Sequence, residues 1–335
     1  MLAGQSFKHV RATADHRLPR RAGILVLFAL LASLTNAHAQ SAIDRDSRPE
    51  LRLGDRGDDK QSPSISKSKD FEVGLTLPVR YSSNVANAAV DSLVTTRGDW
   101  YASPEAYVKW SRQYEWAKLS AEVGAGLERY AVTQEGDIDS LYATFKIAKT
   151  DGEQDLFVPY AMLRSSMYFE PTFKSPEISY NDFSVGFSSG IAWRDRELIP
   201  YIDSLIRYTD AAKPGDVSLL FDARVGRRMT DTIEQQNTFV SLRVELGYVL
   251  DERWSLELSP RFRARFYENY HGEQRIDYRP EFSATLNWKP EWLKAFMPRA
   301  QLSFGFDTYR NYSNIPGKTY SLWSAGPILE LRAKF

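Results

Sequence analysis

The chain has 335 residues, enough for one large domain or two ordinary ones. Lys plus Arg and Asp plus Glu balance at 43 each, so no bulk positive charge points to nucleic acid, and with no cysteine there are no disulfide frameworks or thiolate metal sites. Mean hydropathy is −0.43, which excludes a bundle of membrane-spanning helices but not strands that alternate polar and apolar side chains.

Residues 1–39 read as a secretory signal. Lys8, Arg11, Arg17, Arg20 and Arg21 form a long basic segment, Ala22 to Leu34 an apolar one, and Ala37-His38-Ala39 a cleavage site. The apolar run is about 13 residues, short of the roughly 20 that a spanning helix needs, so cleavage is expected rather than anchoring. His9, His16 and His38 would leave with it, making His271 the sole histidine of the mature chain. Residues 40–69 are polar, mixed in charge and poor in aromatics, and predict a disordered periplasmic leader that cannot bury enough apolar surface to offset chain entropy. Arg56-Gly57-Asp58 within it is a tripeptide common by chance.

From residue 70 the period is two. Phe71, Val73, Leu75, Leu77, Val79 and Tyr81 share one face, while Glu72, Gly74, Thr76 and Arg80 share the other. The same alternation places Ala117, Leu119, Ala121, Val123, Ala125 and Leu127 against Lys118, Ser120, Glu122 and Glu128, and sets Leu141, Ala143, Phe145 and Ile147 against Tyr142, Thr144 and Lys146. Further strands are predicted near 99–111, 155–168, 182–193, 198–208, 217–228, 237–250, 254–267, 277–288, 298–309 and 320–335. Many are longer than the five or six residues usual in soluble sheets and match the 9–11 of a tilted strand crossing a bilayer.

Tight connections are expected at Arg112–Glu115, Asp151–Gln154 and Asp251–Arg253, and long polar ones at Ser82–Gly98, Glu170–Asn181 and Glu268–Ile276. Trp110, Trp116, Trp254, Trp288 and Trp292 flank the tight turns, where an interfacial aromatic belt would sit. Trp288 to Pro298 reads equally as a short amphipathic helix or a plain turn. The segments number thirteen, an odd count that a bacterial barrel does not allow. Either one segment between 195 and 236 is not a full strand, giving twelve, or residues 169–181 hide another, giving fourteen; twelve is preferred.

The last strand ends in Phe335, with Leu329, Leu331 and Ala333 on its face and Glu330, Arg332 and Lys334 opposite. A terminal aromatic on an alternating last strand resembles the signal recognised by the barrel-assembly machinery of Gram-negative outer membranes. With the signal peptide and the repeated two-faced strands, residues 70–335 resemble the broad class of outer-membrane β-barrels and porins, with no particular subfamily. The resemblance implies an all-β, transmembrane, antiparallel up-and-down barrel in the cell outer membrane. Its partners would be outer-membrane lipid and the assembly machinery, with Leu329, Leu331 and Phe335 as assembly signal.

Parity turns Arg224, Arg243, Arg261, Arg263, Arg265 and Arg279 into the lumen, because an arginine facing lipid near the midplane costs roughly 2–4 kcal/mol. Arg207, Arg228 and Arg299 follow by the same reasoning. Two readings compete. Inward Asp222, Glu245, Glu257 and Glu281 could pair with these arginines as a structural lattice that fills the barrel. Alternatively the arginines form a basic wall attracting small anionic solutes or acidic oligosaccharides. A third reading makes the loop Ser82–Gly98 an adhesive or secretion-partner surface. Hydrolysis of the kind carried out by outer-membrane lipases, deacylases and proteases needs a histidine-based acid/base partner near a nucleophile or an activated water. His271 is the sole candidate and does not match outer-membrane phospholipases and lipid A deacylases, whose strand histidine has a serine two residues on; here that position is Glu273. No enzyme, cofactor or metal is expected, and no phosphate-binding or dinucleotide-binding loop occurs.

Overall fold

The computed structural model describes residues 71–85, 98–149, 157–195, 197–199, 213–297 and 299–335. In chain order the strands are β1 (Phe71–Ser82), β2 (Asp99–Ala102), β3 (Glu105–Gln113), β4 (Ala117–Tyr130), β5 (Ile138–Lys149), β6 (Val158–Phe169) and β7 (Pro176–Arg194). They continue with β8 (Glu197–Ile199), β9 (Val217–Thr230), β10 (Asn237–Val249), β11 (Trp254–Tyr270), β12 (Glu273–Trp288), a short helix α1 (Glu291–Phe296), β13 (Gln301–Ser313) and β14 (Tyr320–Lys334).

Each long strand pairs antiparallel with its predecessor and successor, and β14 returns to β1 to close the cylinder. β2 and β3 are one stave interrupted at Ser103-Pro104, since both lie between β1 and β4. β8 pairs only with the end of β7. The wall therefore has twelve staves and one extra short strand. Closure leaves no edge, which is how a sheet satisfies its backbone groups in hydrocarbon, where water is absent.

The sides are inverted relative to a water-soluble protein. Val123, Phe145, Leu163, Phe183, Leu242, Phe282 and Phe304 point outward and are exposed, as the period-two pattern predicts. Inward positions carry Glu122, Lys146, Arg164, Asp222, Arg263 and Asn311, all of them buried. Aromatic rings gather on the outer surface at both rims. Trp254 stacks on Trp288 at the end holding both barrel termini, with centroids 5.5 Å apart, and Trp110 lies at the same end. At the far end Tyr81 packs edge-on against Trp100 and tilted against Trp323, at 5.7 and 5.5 Å. Among the described residues no helix is long and apolar enough to cross a membrane.

Several expectations need correcting. Residues 176–181 and 268–270, expected in long loops, belong to β7 and β11, and residues 273–276 belong to β12. The far-end connections there shrink to 170–175 and to the two-residue turn His271-Gly272. The strand expected near 198–208 is described only as far as Ile199, within the three-residue β8, and residues 200–212 lie outside the described residues. With it removed, the Asp251–Arg253 turn falls at the terminal end, and twelve is the count. Arg299 lies in the connection after α1 rather than on the wall, so strand parity does not apply to it. The helical alternative for Trp288–Pro298 is the one observed, as α1. The signal peptide, the leader with its Arg-Gly-Asp tripeptide, Arg207 and residues 86–97 of the Ser82–Gly98 loop lie outside the described residues.

Candidate functional site in the barrel lumen

Strand register sorts the inward side chains into rows running round the wall, and two rows differ in charge pattern. The first passes Glu72, Lys109, Glu122, Thr144, Arg164, Asp182 and Arg228, each residue directly opposite the next on the neighbouring stave. Sign alternates along most of it, and the contacts are short. Lys109 Nζ lies 3.7 Å from Glu122, while Arg228 donates to both oxygens of Asp182 at 2.7 and 2.5 Å. Tyrosines complete it: Tyr107 donates to Glu72 at 2.9 Å, and Tyr142 donates to Glu105 and Glu122 at 2.6 and 3.1 Å. Opposite charges at cross-strand positions are the stabilising arrangement.

The second row passes Tyr160, Gly186, Arg224, Ser241, Arg263 and Arg279. It holds three arginines and no carboxylate. Arg263 and Arg279 are directly opposite each other. One level away Arg243 is opposite Arg261, which is itself opposite Glu281. Carboxylates do come near from the same strand: Arg243 pairs with Glu245, and Arg279 Nε lies 4.0 Å from Glu281. Serines and a tyrosine take further donors. Arg243 Nε donates to Ser259 and Arg261 Nε to Ser241, both at 3.1 Å, and Arg279 donates to Tyr320 at 2.9 Å.

Arg224, Arg243, Arg261, Arg263, Arg265 and Arg279 thus all occupy inward positions on four adjacent staves, β9 to β12. Arg224, Arg263, Arg265 and Arg279 are buried; Arg243 and Arg261 are half-buried. Arg265 faces Asp277 across the ladder. Of the expected carboxylate partners, Glu245 and Glu281 lie beside arginines, Asp222 is directly opposite Arg243 and accepts from Tyr160 at 2.7 Å, and Glu257 accepts from Asn287 at 3.0 Å. Arg228, also expected inside, anchors the alternating row.

Sequence reasoning missed Arg164, Asp182 and Arg275, although parity within the predicted strands would have found the first two and the true start of β12 the third. Arg275 donates to Asp277 at 3.0 and 2.6 Å and lies over the rings of Tyr267 and Tyr270, at 4.4 and 4.9 Å. A bulge between Tyr267 and Tyr270 shifts the register there, bringing Tyr270 inward.

Two charged groups lie off the wall. Asp216, just before β9, accepts from Arg194 at 2.8 and 2.6 Å and from the Lys213 backbone at 2.9 Å. The Arg194 hydrogen bond holds its carboxyl below the usual aspartate value. Asp137, in the far-end loop before β5, is pushed upward by burial.

His271 occupies the β11–β12 turn at φ 51°, followed by Gly272 at φ 84°. Consecutive positive φ values make a two-residue hairpin turn, the reason a non-glycine is strained there. Its ring is exposed, with Nδ1 3.0 Å from Glu234 Oε1. Among the described residues no group of three or more His, Cys, Asp or Glu side chains gathers to hold a metal ion. At the C-terminus Phe335 is 68% exposed, and its backbone exchanges hydrogen bonds with Phe71 at 3.5 and 2.8 Å. Leu329 and Leu331 lie outward on β14, as parity predicted.

No family model matches the sequence, and no curated protein matches it. By fold the chain is similar to the COG4313 outer membrane channel from Pseudomonas putida F1, at 9% identity and a TM-score of 0.45, over 79% of this chain and 96% of that one. It is also similar to the beta domain of the Bordetella autotransporter BrkA, at 11% identity and a TM-score of 0.39, over 79% and 99%. LpxR from Salmonella typhimurium follows at 9% identity and a TM-score of 0.35, over 76% and 99%. The closed antiparallel cylinder, its apolar outer surface between aromatic rims and its polar interior make this chain an outer-membrane β-barrel of twelve staves.

Proposed function

We propose that the barrel is a porin-like channel for small solutes and that its lumen prefers anions. The observation that carries this reading is the row Arg224, Ser241, Arg263, Arg279, which holds no carboxylate and in which Arg263 and Arg279 face each other across the ladder. Like charges at directly opposed positions cost stability, and a wall selected only for structure would alternate signs as the Glu72-to-Arg228 row does. Arginines on one side of a water-filled passage lower the energy of an anion and raise that of a cation. The reading assigns no catalytic step: His271 serves as a turn residue, with Glu273 where a serine nucleophile would be needed.

A second reading has its own support. The alternating row and the deep burial of Arg263, Arg265 and Arg279 also suit a filled scaffold with no passage. Liposome swelling separates the two. Vesicles containing the purified protein should swell faster in isotonic sodium gluconate, with a sodium ionophore present, than control vesicles do. No swelling with gluconate or any small neutral sugar would reject the channel in favour of the scaffold.

A further inference from the structure

The cylinder closes where β1 meets β14, and the ladder of this seam is interrupted, as it also is beside Pro260 between β10 and β11 and beside Pro280 between β12 and β13. At its two ends it is well tied. Phe71 and Phe335 exchange backbone bonds at the terminal end, and the Ser83 N–H reaches the Trp323 carbonyl at 2.9 Å at the far end. Bonds in an antiparallel ladder recur at every second residue, so Val79 and Pro327 meet at a bonding position where proline has no N–H to give. Pairing accordingly runs from Glu72 to Pro78 and resumes only at Tyr81 opposite Ala325.

The gap extends into the next staves. Pro78 accepts from the Ser103 N–H at 3.1 Å but returns no bond, and Pro104 likewise accepts from Leu127 at 3.0 Å and returns none. Prolines on three adjacent staves thus remove donors at one height of the wall. Where a wall faces hydrocarbon, water cannot replace such donors.

A charged contact spans the gap. Arg80 of β1 reaches past β14 to pair with Asp307 of β13. Its bed is made by two glycines: a Cβ on Gly305 would lie 2.3 Å from Arg80 Nη2, and one on Gly326 would lie 2.2 Å from the Val79 oxygen. Arg80 is 6% exposed, but Asp307 is 36% exposed on the lumen side, so the pair can be broken from the lumen.

We propose that this seam is a yielding section of wall, latched by Arg80 and Asp307, through which the apolar tail of an amphiphile passes sideways between lumen and bilayer. The inference is independent of anion preference. The chain has no cysteine, so Ile328→Cys, at an inward position 2% exposed beside the gap, supplies a single thiol. In the full-length protein in nanodiscs, the lipid-partitioning reagent N-dodecylmaleimide should alkylate that thiol, and Asp307→Ala should accelerate the reaction about tenfold by raising the open population. Ser184→Cys, inward and fully buried between unbroken ladders, should stay unmodified. Amide exchange in the unsubstituted protein provides a second readout, with residues 77–81 exchanging faster than residues 142–146 of β5. Equal reactivity of the two thiols, a rate indifferent to Asp307→Ala, or seam amides protected as well as those of β5 would overturn the proposal.

Discussion

Arg263 and Arg279 face each other directly across β11 and β12, both turned into the lumen and both buried. Two guanidinium groups at opposed positions oppose folding. Replacing Arg263 with glutamine should therefore leave the urea unfolding midpoint unchanged or slightly raised. Anion preference should fall in the same variant. A clear loss of stability would make the row structural.

The opposite result is expected in the alternating row. Asp182 takes both hydrogen bonds of the Arg228 fork, and Asp182→Asn would leave a mostly buried guanidinium short of its counter-charge. A loss of about 2–4 kcal/mol is expected. Adding Arg228→Gln should recover part of it, because the stranded charge leaves as well. Urea denaturation of the single and double variants measures both effects.

Facing direction can be tested with neighbouring residues on one strand. Phe282 points to lipid and Ser283 to the lumen. Phe282→Arg should destabilise the folded barrel by about 2–4 kcal/mol, while Ser283→Arg, with its head in a polar interior, should cost less than half of that. Equal costs would contradict the assignment of faces.

Most of this architecture was legible because the alternation from Phe71 to Tyr81, and its recurrences in β4 and β5, encode a wall with one apolar face. Strand ends were less legible for a physical reason. Asn181 and Glu268 are polar residues on outward positions of β7 and β11, so there the ladder continues while the apolar alternation stops. The break at Ser103-Pro104 was also invisible to periodicity, since both halves keep the same parity. Inward arginines followed directly from alternation, but which of them face carboxylates and which face each other depends on the register between staves, which no single strand records.

The Arg194–Asp216 clasp predicts a pH dependence outside the wall. Hydrogen bonding from Arg194 lowers the carboxyl's affinity for protons in the folded state. Its contribution is therefore fully present above the ordinary aspartate value of about 3.9 and is lost as pH falls through the lower folded value. Asp216→Asn should melt below the unsubstituted protein at neutral pH, with the difference closing in strong acid. A difference that stays constant across that range would remove the clasp from the explanation.

Phe335 is exposed on the last strand, so its ring contributes little to the folded barrel. Phe335→Ser should leave the melting temperature of the refolded protein within the error of measurement. If the ring instead serves the assembly machinery, the heat-modifiable folded fraction recovered from cell outer membranes should fall severalfold. Normal recovery from membranes would dismiss Leu329, Leu331 and Phe335 as an assembly signal.

Reversal potential under a potassium chloride gradient, with the purified protein in a planar bilayer, addresses the lumen most directly. An arginine-rich face on β9 to β12 that governs passage predicts conductance steps and a reversal potential displaced toward the chloride equilibrium value. Displacement toward potassium, or a bilayer that shows no steps at all, would contradict it.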